Sequence, residues 1–169
     1  LEASSAASDV YKRQGPKSRN LNFSIQYEEK LANQISFWME KEIVENHVPL
    51  DLIVNWSDDA APLTAKARAY LDINCGHCHM PGGSADTTGL NLNLTETEDR
   101  KIGIYKKPVA AGRASEGMKF SIVPGKPNES ILLHRMDSLD PGVMMPESGR
   151  KLSHSEGVAL INDWIISLK

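Results

Sequence analysis

The spacing of apolar side chains predicts a few helices separated by long polar loops. Leu31, Ile35, Trp38 and Met39 recur at helical spacing, so residues 27–44 are expected to form an amphipathic helix, with Pro49 breaking the pattern after it. A connector spans 45–60, with Trp56 as an apolar anchor and Asp58-Asp59 as a turn signal. A second helix is expected over 62–73, from Pro62 through Ala65, Ala69, Tyr70 and Ile73. From Met80 to Ser130 the chain is rich in Gly, Pro, Asn and Thr. Within that stretch Leu90-Asn91-Leu92-Asn93-Leu94 alternates like a short strand, Gly89 and Gly112 mark turns, and Pro124-Gly125-Lys126-Pro127 breaks any regular element. A third helix fits 128–137, with Ile131, Leu132 and Met136 on one side. After the Asp140-Pro141-Gly142 turn, Ser153-His154-Ser155-Glu156 matches a capping box. The terminal helix behind it carries the stripe Leu160, Ile161, Trp164, Ile165 and Leu168. Three or four helices with loops this long need something for the loops to pack around.

Composition narrows the classes. The 169 residues carry a net charge of -3, and no clustered basic face points to nucleic acid. No apolar run approaches the ~18 residues of a membrane span. No phosphate loop, Rossmann glycine run or Ser/His/Asp order supplies a substrate site, so this stretch is not read as an enzyme. Ser4 to Gln14 resemble an in-frame translation of a sequencing adaptor, so residues 1–14 are set aside as an artefact. Residues 15–26 read as irregular. Residues 15–59 are expected to be an extension with one helix, either a linker or the end of an upstream domain. Residues 60–169 are expected to be the main domain.

Two cysteines are too few for a disulfide framework, so their spacing decides their role. They lie in Cys75-Gly76-His77-Cys78-His79, the C-x-x-C-H pattern of covalent haem attachment. Two thiols at this spacing reach the two vinyl groups on one porphyrin edge, and the next residue places its imidazole under the iron. His79 is then the proximal ligand, and its other ring nitrogen needs an acceptor, for which the Pro81 carbonyl is a candidate. A sixth ligand is expected from Val143-Met144-Met145-Pro146. Met145 is preferred because Pro146 stiffens its backbone, and Met144 is second. His134 or His154 would instead give a bis-histidine site. Three other readings compete: a thiol–disulfide centre, a zinc site on Cys75, Cys78 and two histidines, and two structural cysteines at chance spacing. The segment approaching Cys75 is helical and polar, without the strand and aromatic residue of a thiol-redox motif. No second cysteine pair supports zinc.

In context, residues 60–169 resemble a monohaem class I-like cytochrome c domain: helix, C-x-x-C-H, wrapping loops, methionine ligand, terminal helix. More narrowly, five segments resemble the C-terminal part of a family of bacterial extracytoplasmic conserved proteins: Gly15 to Asn22, Cys75 to Gly83, Val123 to Pro127, Pro141 to Pro146 and Glu156 to Ile161. Some members of that family carry the haem domain behind a β-propeller similar to sugar dehydrogenases. The resemblance implies an all-α, cytochrome c-like fold around one covalent haem c. It also implies single-electron transfer outside the cytoplasm, with a redox partner protein or a fused dehydrogenase-like domain as partner. It further implies that the first and last helices cross at Gly157, with Tyr70 and Trp164 packed there, and that Arg113 and Trp56 are candidates for holding propionates. The rival functions are a five-coordinate haem sensor or peroxidase-like domain, and a haem-free thiol-redox or zinc module.

Overall fold

The computed structural model describes residues 17–28, 30–45, 53–56, 58–147 and 150–169. The adaptor-like residues 1–14, together with Gly15, Pro16 and Pro49, lie outside the described residues. A short helix α1 (Ser18–Leu21) leads into an antiparallel hairpin, β1 (Ser24–Tyr27) and β2 (Lys30–Asn33), with Ser24 opposite Asn33 and Tyr27 opposite Lys30. Helix α2 (Gln34–Glu40) follows. The expected helix over 27–44 is therefore corrected to a hairpin plus a seven-residue helix. Two local features decide this. Glu28 turns the chain at a φ of 46°, and the Asn33 side chain accepts the Ser36 amide hydrogen, capping a helix that starts only at Gln34. Leu31 is 67% exposed, and Tyr27 instead stacks on Phe37 with ring centroids 3.9 Å apart. Beside the expected all-α class, the described residues thus contain one two-stranded sheet.

Helix α3 (Leu63–Asn74) follows Pro62, whose extended backbone precedes the first turn. Two later elements are short: α4 (Asp99–Ile102) and α5 (Ile131–Asp137), the latter preceded by a 3-10 turn at Pro127–Glu129. The terminal helix α6 spans Ser155–Ser167. Its expected capping box does not form. His154 occupies the cap position without a side-chain bond, while the Ser153 hydroxyl bonds the Asp137 carboxylate at 3.2 Å. Residues 90–94 form no ladder and their burial does not alternate: Leu92 is buried, and Leu90 and Leu94 are partly covered like Asn91 and Asn93.

The core lies where α3 crosses α6. Ala67, Tyr70 and Leu71 face Ile161, Trp164 and Ile165, with Leu92, Ile102, Ile122, Leu133 and Met136 closing the cluster. A Cβ on Gly157 would collide with the Tyr70 ring and hydroxyl, so glycine permits the close crossing that the sequence suggested. Tyr70 stacks on His154, its hydroxyl lies 2.9 Å from His154 Nδ1, and Trp56 packs edge-on to both rings. Burial pushes the Tyr70 hydroxyl up to about 12, so it stays protonated.

The N-terminal piece is tied to this core through one carboxylate. Asp72 on α3 is fully buried and accepts Lys17 Nζ at 2.6 Å, Arg19 Nε at 2.9 Å and the Leu94 amide at 3.0 Å. Arg19 also reaches Asn93 Oδ1 at 2.6 Å. Burial alone would raise the Asp72 carboxyl, but the hydrogen bonds from Arg19, Lys17 and the Leu94 amide overcome it and hold the group at about 2.

Candidate functional site

The cysteine motif extends the last turn of α3. The Cys75 and Gly76 amides bond Leu71 O at 2.9 and 2.8 Å, and the Cys78 and His79 amides bond Cys75 O at 3.1 and 2.9 Å. Cys75, Cys78 and His79 thus stand at i, i+3 and i+4 of a helical turn, the spacing that puts side chains on one face. Both thiols are unpaired and partly buried. A Cβ on Gly76 would sit 2.9 Å from Asp72 O and 3.0 Å from Leu92 O, so only glycine fits between the helix and the returning loop. Gly83 is as tightly placed, since a Cβ there would run into the Cys78 carbonyl. Burial, reinforced by Cys78, pushes the Cys75 thiol up to about 12. A dithiol redox centre has the opposite sign, a thiol lowered toward neutrality.

The loop after the motif folds back under it. The Leu92 amide bonds His79 O at 2.8 Å, and Arg68 on α3 donates to Asn93 O at 2.6 Å and Glu96 O at 3.0 Å. This return brings Thr88 beside His79, with 3.1 Å between the hydroxyl and Nδ1. The Thr88 hydroxyl donates to Ala85 O at 2.7 Å and accepts the Leu90 amide at 3.3 Å. Its single proton is therefore committed, and toward His79 it acts as acceptor. The network assigns the proton of His79 to Nδ1 and leaves the Nε2 lone pair as the ring's free donor to a metal. Burial, then the charges of Arg135 and His77, lower the His79 imidazole and favour its neutral form. The Thr88 hydroxyl is thus an Nδ1 partner that the sequence did not suggest; its candidate for that role was the Pro81 carbonyl. Pro81 itself is exposed on the loop.

The methionine segment is built onto α5. Val143 and Met144 are buried, Met144 at 8% exposure, and Met145 is half-buried. Neither Val143 nor Met144 belongs to the contiguous core cluster. The Val143 and Met144 amides bond Asp140 O at 2.8 Å, and the Met145 amide bonds Arg135 O at 2.8 Å. Arg113, a candidate for a propionate, forms a two-pronged pair with Asp140 at 2.8 and 3.0 Å and stays largely exposed. Trp56, the other such candidate, packs edge-on to Tyr70 and His154.

The bis-histidine alternative gains nothing at His154, which is held at the helix crossing by Tyr70 and lies 3.6 Å from Glu156. His134 sits on α5, with Nδ1 3.8 Å from Glu116 and a buried Nε2 that has no partner among the described residues. Among the described residues no cluster of three or more His, Cys, Asp or Glu is placed to hold a metal, which leaves a four-ligand zinc site unsupported. Sequence reasoning missed Thr88, Arg135, Arg150 and the Asp72 cluster. The one available signal was Asp72 itself, a carboxylate in the run Tyr70-Leu71-Asp72-Ile73 that a helix facing a core would not otherwise carry.

The donor set fits a covalently held haem: two unpaired thiols and a neutral imidazole with a free Nε2 on one helical turn. Among the described residues no helix is long and apolar enough to cross a membrane. Comparison of the chain with protein-family models, with curated protein sequences and with solved structures finds no match.

Proposed function

We propose that this chain is a c-type cytochrome domain that carries one covalent haem and transfers single electrons. The observation that carries the reading is the His79–Thr88–Ala85 relay standing beside two unpaired thiols. An imidazole oriented through Nδ1, with Nε2 left free, is what an iron ligand requires. Cys75 and Cys78 would form the thioethers, His79 the proximal bond, and Met145 the sixth, with Met144 second. The bound iron supplies the chemistry, moving between ferrous and ferric states. A histidine–methionine pair sets a high potential.

The chain's own residues hold geometry. Thr88 fixes the imidazole plane, Leu92 and Arg68 hold the loop against the motif, and the buried Val143 and Met144 would shield the candidate sixth ligand from water. Thioether attachment of this kind takes place outside the cytoplasm, so the domain acts there. Its partner is a redox protein or a fused dehydrogenase-like domain, and the domain itself is no enzyme.

The test is coexpression with haem maturation machinery. A denatured sample that retains haem, sharp low-spin bands on reduction and a weak ferric methionine–iron band are the expected results. Cys75→Ala combined with Cys78→Ala should abolish retention. High-spin iron that binds carbon monoxide readily would replace the carrier with a sensor or peroxidase-like reading. No Soret absorption would sink both and favour a thiol-redox or zinc module.

A further inference from the structure

The turn of chain before the hairpin reaches the cysteine motif through side chains that no motif announced. Arg19 spans two partners. Its Nε donates to Asp72 Oδ2 at 2.9 Å, and its Nη2 donates to both Asp72 Oδ1 and Asn93 Oδ1 at 2.6 Å. Lys17 Nζ closes on Asp72 Oδ1, also at 2.6 Å. The two cations are only 21% and 20% exposed, and the carboxylate that joins them is fully buried. The turn that presents them is itself closed. The Lys17 amide donates to Asn20 Oδ1 at 2.8 Å, the Asn20 amide donates to Lys17 O at 2.8 Å, and Asn20 is buried.

The partners of Arg19 belong to the two elements that build the candidate site. Asp72 lies in the last turn of α3, three residues before Cys75. Asn93 adjoins Leu92, whose amide bonds His79 O at 2.8 Å, and the Leu94 amide returns to Asp72 Oδ1 at 3.0 Å. Gly76 marks how closely the two elements meet, since a Cβ there would touch both Asp72 O and Leu92 O. Arg19 therefore bridges the joint between the helix end and the returning loop. Neutralising one carboxylate takes one cation. The second cation and the arm to the uncharged Asn93 oxygen add nothing to that balance. What they add is position, and a planar guanidinium with several fixed donors suits it where a single ammonium does not.

We propose that Lys17 and Arg19 form a latch that positions the cysteine–histidine motif. Arg19, seated on Asp72, holds residues 92–94 against the end of α3, and through the Leu92 amide this fixes the backbone of His79. Residues 17–22 then work as part of the domain expected over 60–169. The proposal goes beyond the cytochrome reading and does not need it, because every contact in the latch belongs to the chain itself. Its signature is local. Loss of the Arg19 bridge frees the loop from the helix end while the α3–α6 core stays closed.

The experiment uses the full chain, coexpressed with haem maturation machinery, and follows amide hydrogen exchange by NMR at Leu92 and Leu94. The amides of Ile161 and Ile165 on α6 report opening of the core in the same sample. The variants are Arg19→Gln, Arg19→Lys, Asn93→Ala and the Arg19→Gln/Asn93→Ala pair. Arg19→Gln should exchange about tenfold faster than the parent at Leu92 and Leu94, with the α6 amides within about twofold. Arg19→Lys should exchange faster at Leu92 and keep the parent rate on α6, because one ammonium cannot hold Asp72 and Asn93 together. The double variant should fall short of the product of its two single effects, since both changes break the same bond. Acceleration of the α6 amides by the same factor as Leu92 marks a merely structural tie and overturns the proposal. Single effects that multiply in full overturn the bridge from Arg19 to Asn93. If Arg19→Gln does not accumulate, Arg19→Lys and Asn93→Ala decide, and parent rates at Leu92 in both overturn the latch. The same amides are read whether or not the chain retains haem, so a haem-free parent overturns the cytochrome reading alone.

Discussion

Replacing Asp72 by Asn tests the tie between the N-terminal segment and the helix that ends in the cysteine motif. The carboxylate is fully enclosed and held by Lys17, Arg19 and the Leu94 amide. Its carboxyl lies at about 2 instead of 3.8, and each pH unit of difference corresponds to ~1.36 kcal/mol, so the ionised form contributes about 2 kcal/mol to the folded state. The sign follows from the direction. The folded group is the stronger acid, so its contribution is complete above the unfolded value near 3.8. It is lost as pH falls through 2. Other carboxylates titrate in the same window, so the informative quantity is the difference between parent and Asp72→Asn. Urea unfolding followed by far-UV circular dichroism at pH 7, 5, 4, 3 and 2 measures it. The parent should be the more stable at pH 7, and its advantage should shrink by about 2 kcal/mol between pH 5 and pH 2. Two curves that stay parallel to within about 0.5 kcal/mol across that window would refute the reasoning, because a carboxylate without charged partners shows no such linkage.

Other expectations follow from single contacts. Gly157→Ala drives a Cβ into the Tyr70 hydroxyl at the α3–α6 crossing, so it should destabilise by ~1–3 kcal/mol and lower Tm by several degrees; an unchanged Tm would mean that the helices separate freely. Thr88→Val removes the acceptor from His79 Nδ1 without changing shape. In the haem-loaded protein it should raise the midpoint potential, because a less basic imidazole favours ferric iron less, while Thr88→Ser should match the parent.

The parts legible in the sequence are those where one residue type has one physical use. The family resemblance put a close helix crossing at Gly157 and the structure fills that gap with Tyr70; Pro62 marked the start of α3, and the terminal stripe through Ile161, Trp164 and Ile165 became the buried face of α6. The errors arose where two elements share a pattern. Ile25, Tyr27, Leu31 and Ile35 can be read at helical or alternating spacing, and the choice rests on a turn at Glu28 and a cap at Asn33, both local backbone matters. The Ser153–Glu156 box failed because Ser153 found Asp137, a partner remote in sequence. Thr88 was invisible for the same reason: nothing in a lone threonine nine residues after His79 announces that a loop will return it to the ring.

The same comparison explains why the candidate site is held by polar bonds. The contiguous apolar core lies between α3 and α6; the loop after the cysteine motif reaches it through Leu92 alone, while Val143 and Met144 of the methionine segment lie outside it. Each is tied down by guanidinium groups on backbone carbonyls: Arg68 on Asn93 and Glu96, Arg135 on Val143, and Arg150 on the end of α5. A carbonyl is a neutral acceptor, so these bonds do not titrate and do not depend on a carboxylate that a nearby charge could repel. A strap fastened this way keeps its shape when the charge beside it changes by one. For the electron-transfer role proposed above this would be the useful property, since geometry that does not reorganise leaves only the electron to move. The Arg113–Asp140 pair, exposed and ionic, is the exception that marks the outer edge of the strap. There water screens the charges, and the two-pronged geometry fixes the turn more than it adds energy.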